Sequence, residues 1–173
     1  MRESFPATSA WRAHVTRRRR RAHCTLDSTA GESVTLSETL DDGATVVLIN
    51  RGHWCSFCAE QLRTFSEVSY DLWFDEDVDI LPVVTDSVPK LREMRDRFDL
   101  DLQLLADPDG EVAGRYSGTE GTSHGVTGVA ATYVLDGQGT VRYEQVADHP
   151  ADRTYGNRIR YVVRSGYEDP VGE

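Results

Sequence analysis

Thr45-Val46-Val47-Leu48-Ile49-Asn50-Arg51-Gly52-His53-Trp54-Cys55-Ser56-Phe57-Cys58 is the stretch on which the reading of this 173-residue chain turns. Its first five residues form a short β-branched apolar run, the pattern of a buried strand. Arg51-Gly52-His53-Trp54 reads as a loop. Beyond the cysteines, Leu62, Phe65, Val68 and Leu72 recur three and four residues apart, which is one apolar face of a helix. The spacing predicts a helix that begins within or just after the cysteine pair.

That position matters chemically. The first turn of a helix leaves backbone N–H groups unpaired and carries partial positive charge. A thiolate placed there is stabilised, so its pKa falls and its reactive fraction rises. One helical turn brings the second sulfur near the first, and the pair can close to a disulfide and reopen through a mixed disulfide. Arg51 and His53 are candidates for adding positive charge beside the thiolate. Trp54 is expected to cover one side of the site and leave the outer sulfur exposed. Three cysteines are too few for a disulfide scaffold, so a C-x-x-C in a cytosolic chain reads as redox or metal chemistry. Zinc wants four ligands and there is no second C-x-x-C; Cys24, His23 and His53 are the residues that would have to complete such a site. A zinc or redox-sensing binding module therefore stands as the non-enzymatic alternative. No cofactor is expected.

Outward from the pair, Val78-Asp79-Ile80-Leu81-Pro82-Val83-Val84 reads as a second strand. Ser87 is placed to cap the next helix and Pro89 suits its first turn, with Leu91, Met94 and Phe98 along one face. Leu102, Leu104 and Leu105 mark a short strand, and residues 110–114 a short helix. Ala131 to Leu135 and Thr140 to Val146 flank Asp136-Gly137-Gln138-Gly139, a hairpin signal. Residues 152–164 close the pattern as a helix with Ile159, Val162 and Val163 inward. The order β-α-β-α-β-β-α predicts an α/β domain: parallel strands joined by helical crossovers, then an antiparallel hairpin and a closing helix.

Charge divides the chain. Residues 1–24 carry seven arginines and one acid, net +6; the remainder carries 12 cations and 28 acids, net −16. The basic segment, with its run Arg17 to Arg21, lacks periodicity and aromatic interleaving and reads as a disordered tail, leaving 25–173 as the folded domain. The acidic body repels nucleic acid and anionic lipid, so neither is expected as a partner. No apolar stretch approaches the roughly 20 residues of a membrane span, and no apolar segment follows the arginines as a secretory signal requires. A cytoplasmic protein is the expectation. Lys90 is the only lysine; surface acid with almost no lysine fits a high-salt cytoplasm, and equally a GC-rich genome that favours arginine codons.

Val46-Val47-Leu48-Ile49 leading into Arg51 to Cys58, followed by Glu60-Gln61-Leu62, resembles the redoxins, and more narrowly the alkyl hydroperoxide reductase C and thiol-specific antioxidant (peroxiredoxin-like) group. Ala131-Thr132-Tyr133-Val134-Leu135-Asp136 before a Gly-containing turn, with Val141-Arg142-Tyr143, agrees. The resemblance covers about residues 25–165. It implies a thioredoxin-like three-layer fold, with a central mixed sheet and flanking helices. It also implies an antioxidant enzyme that reduces hydroperoxides or protein disulfides through cysteine and is reset by a thioredoxin-like or other dithiol reductant. A homodimer is left open.

The resemblance offers two assignments of roles. On the thioredoxin pattern Cys55 is the exposed nucleophile and Cys58 the resolving thiol. On the peroxiredoxin pattern the attacking cysteine stands at Cys58, and a threonine three residues earlier is replaced by Cys55. The peroxiredoxin proline of that motif falls at Arg51, and the buried acid of thioredoxins at Ile49. The arginine or cis-proline that precedes the strand aromatic by three residues falls at Ala130. Loss of that arginine leans toward a disulfide reductase with little peroxidase activity, while the family likeness leans toward a peroxidase. The expected site is thus Cys55 and Cys58, with Trp54, His53, Arg51 and Ala130 bordering the substrate.

Overall fold

A computed structural model of the chain describes residues 24–40 and 43–167. The basic segment, apart from Cys24, lies outside the described residues. In chain order the elements are β1 (Thr25–Ser28), β2 (Ser33–Thr35), α1 (Leu36–Thr39), β3 (Ala44–Asn50), α2 (Ser56–Glu76), β4 (Val78–Val84), α3 (Val88–Phe98), β5 (Leu105–Ala106), α4 (Glu111–Tyr116), β6 (Thr119–Thr122), β7 (Gly125–Gly128), β8 (Ala131–Leu135), β9 (Val141–Val146) and α5 (Gly156–Arg164).

Seven strands form one mixed sheet in the order β2-β1-β5-β4-β3-β8-β9, while β6 and β7 pair separately. β3 runs parallel to β4 and antiparallel to β8, so the strand that feeds the cysteines lies within the sheet. All seven of its residues are buried, which explains why its sequence is a continuous apolar run rather than an alternation. Successive side chains go to opposite faces. Val46 and Leu48 join a core with Leu62, Phe65 and Leu72 of α2, Leu91 and Met94 of α3, and Ile159 of α5. Val47 and Ile49 join a second core with Leu36 of α1 and Val112 and Tyr116 of α4. Helices therefore cover both faces of a mixed sheet, the three-layer arrangement the family resemblance implies.

The central strand, the 21-residue helix after the cysteines, β4, α3 and the β8–β9 hairpin fall where the pattern puts them. Other details differ. The strand read over Leu102 to Leu105 is only Leu105–Ala106; Leu102 and Leu104 are buried as irregular chain. Ser87 stands at the start of α3, but its hydroxyl makes no capping bond; instead the Asp86 carboxylate accepts the Ser87 N–H at 3.1 Å. β1, β2, α1 and the β6–β7 hairpin, all short, add to the predicted order. The closing helix begins at Gly156, not at 152, because Tyr155 is extended (φ −93°, ψ 162°). Gly156 donates its N–H to the Thr64 hydroxyl at 3.0 Å, and a Cβ there would stand 2.7 Å from both the Thr64 carbonyl oxygen and a Val68 methyl carbon. Only a glycine lets α5 lie this close to α2.

Candidate active site

β3 ends at Asn50, the chain turns through Arg51 to Trp54, and α2 opens at Ser56. Cys55 is the residue before the helix, in extended conformation. Its sulfur accepts the backbone N–H of Cys58 at 3.3 Å, and its carbonyl accepts that of Ala59 at 3.1 Å. The thiol thus does the work usually done by a serine or aspartate side chain at a helix start. Cys58, one turn on, receives the backbone N–H of Arg51 at 3.4 Å. Both thiols are reduced.

The two sulfurs differ electrostatically. Cys55 is lowered to about 6, chiefly by the hydrogen bond from the Cys58 thiol; burial opposes this, and the Cys58 N–H and the charges of Arg153 and Arg51 reinforce it. Cys58 is pushed well above an ordinary thiol by burial and by donating to Cys55. One thiolate and one thiol, sharing a proton between them, is the resting arrangement this geometry favours at neutral pH. Contrary to the expectation that Trp54 leaves the outer sulfur exposed, Cys55 is only 4% exposed and Cys58 0%.

Arg153 is a residue sequence reading missed. Its Nη2 lies 3.3 Å from the Cys58 sulfur and 3.7 Å from that of Cys55. Reading residues 152–164 as one helix hid it; the extended chain before Gly156 is what brings Arg153 over the pair. The signal available was Gly156 itself, a residue that favours helix ends over interiors. Gln61, buried on the second turn of α2, was also missed. It accepts from Arg153 Nη1 at 3.3 Å and donates to the Thr132 hydroxyl at 3.2 Å and the Thr154 carbonyl at 2.8 Å.

The other predicted residues are placed as follows. Arg51 lies beside Cys55 as a charge, with its guanidinium 5.0 Å from the Trp54 ring centre and 3.5 Å from Glu120 of β6. Trp54 stacks on His124, which projects from the β6–β7 turn, with centroids 4.0 Å apart and planes 11° from parallel. Close passage of the indole demands Gly52, where a Cβ would sit 2.4 Å from Trp54 Nε1. His53 is bound to Asp86 instead: its backbone N–H donates to Oδ2 at 3.1 Å and its Nδ1 pairs with the same oxygen at 2.5 Å. Burial works against the Asp86 charge, but the bonds from His53 and the Ser87 N–H outweigh it and lower its pKa. A cleft of about 570 Å³ opens along His53, Trp54, Asp86, Lys90 and His124. Ala130 is buried, and its carbonyl accepts the Ala147 N–H at 2.8 Å.

Cys24 packs against the opposite core from the pair. Burial there pushes its thiol up to about 11. It is therefore not positioned to complete a metal site with Cys55 and Cys58, and His23 lies outside the described residues. Among the described residues no group of three or more histidines, cysteines and acids is arranged to hold a metal. Nor is any described helix long and apolar enough to cross a membrane.

A three-layer mixed sheet with a dithiol where its central strand gives way to a helix defines a thioredoxin-fold redoxin. The sequence profile of the AhpC/TSA family matches residues 19–144, and the chain belongs to that family, whose members are thiol-dependent peroxidases. Solved structures agree in fold. Peroxidoxin BcpB from Mycobacterium tuberculosis superposes with a TM-score of 0.71 at 20% identity, covering 82% of this chain and 92% of that one. A cysteine-to-serine mutant of PrxQ from Xylella fastidiosa gives 0.73 at 11% identity, covering 85% and 91%. AhpC of Enterococcus faecalis gives 0.69 at 17% identity, covering 87% and 92%. No curated protein sequence matches the chain.

Proposed function

We propose that this protein is a dithiol peroxidase in which Cys55 attacks and Cys58 resolves. The observation that carries the reading is the asymmetry of the pair: the Cys55 sulfur accepts the Cys58 N–H at the helix start, and its thiol is lowered to about 6, which favours the reactive thiolate. Cys58, fully buried and raised, is a poor first nucleophile but a ready internal thiol.

The Cys55 thiolate attacks one peroxide oxygen. An S–O bond forms, the O–O bond breaks, and the departing alkoxide or hydroxide takes a proton to leave as alcohol or water. Cys55 is then a sulfenic acid. The Cys58 thiol attacks that sulfur, expelling water and closing a Cys55–Cys58 disulfide. An external dithiol protein, itself oxidised, reduces the disulfide through a mixed disulfide. Such a cycle fits a reducing compartment such as the cytoplasm.

A small hydroperoxide is favoured over a protein disulfide as the main substrate, because both sulfurs are covered. A peroxide needs only a small opening, whereas another protein's disulfide needs a sulfur at the surface. The test compares hydrogen peroxide and an alkyl hydroperoxide with insulin disulfide as substrates, using dithiothreitol as reductant. Faster turnover of peroxide is expected, and reduced protein treated with peroxide without dithiothreitol should lose two thiols per chain. Insulin reduction without peroxide consumption would reassign the protein as a disulfide reductase. Absence of both, with zinc bound stoichiometrically, would replace the enzymatic reading with a binding module.

A further inference from the structure

Alanine stands at position 130, just before β8, where the family resemblance implies an arginine, yet a guanidinium lies on both sulfurs. We propose that Arg153 is a catalytic residue of this site, holding the Cys55 thiolate before attack and the departing peroxide oxygen after it, with Gln61 as the residue that positions it. This deepens the dithiol peroxidase reading and rests on it.

The argument starts from where the guanidinium is tied. Arg153 Nε donates to the Pro150 carbonyl at 2.8 Å, and Nη1 donates to Gln61 Oε1 at 3.3 Å. Nη2 faces the sulfurs. Among the described residues its hydrogen-bond partners are these two carbonyl oxygens and two sulfurs, none of them a carboxylate. Its charge is therefore not neutralised by an acid and remains available to an anion in the site. The anchors are themselves fixed. Gln61 is 1% exposed, and its amide group donates to Thr132 on β8 and to the Thr154 carbonyl. Thr154 in turn donates to Gln145 on β9 at 3.3 Å and shares a 3.0 Å bond with Tyr143. The cation is thus held by β8, β9 and α2 together, even though it comes from irregular chain.

A planar fork pinned at two nitrogens presents its remaining N–H groups at a fixed place, so little reorganisation is needed as charge moves from sulfur to oxygen. Arg153 keeps its proton throughout, since guanidinium does not titrate in this range. The proton taken by the leaving oxygen comes from solvent. The redox balance is that of the peroxide step: Cys55 is oxidised to the sulfenic acid and the peroxide is reduced to alcohol or water.

The experiment uses full-length reduced protein, its Arg153→Gln and Arg153→Lys variants, and Gln61→Leu. Residue-resolved alkylation against pH reports the Cys55 thiolate, and loss of thiol with hydrogen peroxide reports the chemical step. Arg153→Gln is expected to move Cys55 alkylation to higher pH and slow the peroxide step about 100-fold, as for removal of one preorganised donor. Arg153→Lys, which retains the charge and keeps the variant comparable if the neutral one folds poorly, should restore most of the alkylation profile but less of the rate, because an ammonium lacks the fork. Gln61→Leu should slow the peroxide step with a smaller change in alkylation.

An Arg153→Gln protein that matches the active parent in both profile and rate would overturn the assignment and leave the peroxidase reading standing. A shifted alkylation profile in a parent that consumes no peroxide would support the cation at the thiolate while refuting the peroxidase reading.

Discussion

The Cys55 sulfur accepts the backbone N–H of Cys58 at 3.3 Å, so the proposed nucleophile is also the cap of the helix it opens. The same bond that organises α2 stabilises negative charge on sulfur. Removing the sulfur thus removes two functions, and substitutions can separate them. Serine keeps the cap and cannot do the redox chemistry; alanine keeps neither. Cys55→Ala should be less stable than Cys55→Ser by about 1 kcal/mol, the usual value of a capping side chain, or roughly 2–4 °C in melting temperature for a chain of this size. Both should be inactive with peroxide. Thermal melts under reducing conditions check this; equal stability of the two variants would show that the sulfur is not a working cap.

Removing the resolving thiol should stop the cycle halfway. Cys58→Ser protein treated with one equivalent of peroxide is expected to lose the Cys55 thiol and hold a sulfenic acid there, trapped with dimedone and located by mass spectrometry. Parent protein should instead lose both thiols and form an intrachain disulfide. A dimedone adduct on Cys58 of a Cys55→Ser protein, formed at the parental rate, would reverse the roles.

Asp86 ties the loop before the cysteines to the end of β4 through His53 and Ser87. Its pKa is lowered, against burial, by those bonds. A carboxylate lowered in the folded state contributes stability that is present above its unfolded pKa, about 4, and is lost as pH falls through the folded value. Asp86→Asn should therefore be less stable than the parent at pH 7, and the gap should narrow on acidification below about pH 4. Denaturant titrations across pH read the gap directly; a gap unchanged with pH would show that the charge of Asp86 contributes nothing.

Gly156 lies where α5 crosses α2, and a Cβ there would meet the Thr64 carbonyl oxygen at 2.7 Å. Backbone cannot yield as a flexible side chain can. Gly156→Ala should cost about 1–3 kcal/mol, the range for overpacking, and should also slow the peroxide step by displacing the chain that carries Arg153. Melting temperature and peroxide rate measured together test both; a variant at least as stable as the parent would contradict the packing argument.

How much of this was legible beforehand follows from range. Val46 to Ile49 and the Leu62-Phe65-Val68-Leu72 stripe are written in local periodicity, so the strand, the helix and the cysteines between them were read at their true places. β1 and β2, of four and three residues, are too short to impose a period, and the β6–β7 hairpin joins two four-residue strands of which only Thr127 and Gly128 are buried, so none of them announced itself. Arg153 and Gln61 were not legible for a different reason. Gln61 lies off the Leu62-Phe65-Val68-Leu72 stripe, so local periodicity assigns it no partner, and Arg153 is 98 residues from Cys55 along the chain. His53 shows the converse: adjacency in sequence suggested a charge beside the thiolate, while the fold gave the imidazole to Asp86, 33 residues away.

The most direct test of the central claim is the alkylation rate of each cysteine against pH, resolved by peptide mass spectrometry on reduced protein. The account predicts that Cys55 reacts first, with a half-maximal rate near pH 6, while Cys58 and Cys24 stay slow through neutral pH. Labelling of Cys58 ahead of Cys55, or a Cys55 profile with the midpoint of an ordinary thiol near 8.5, would contradict it.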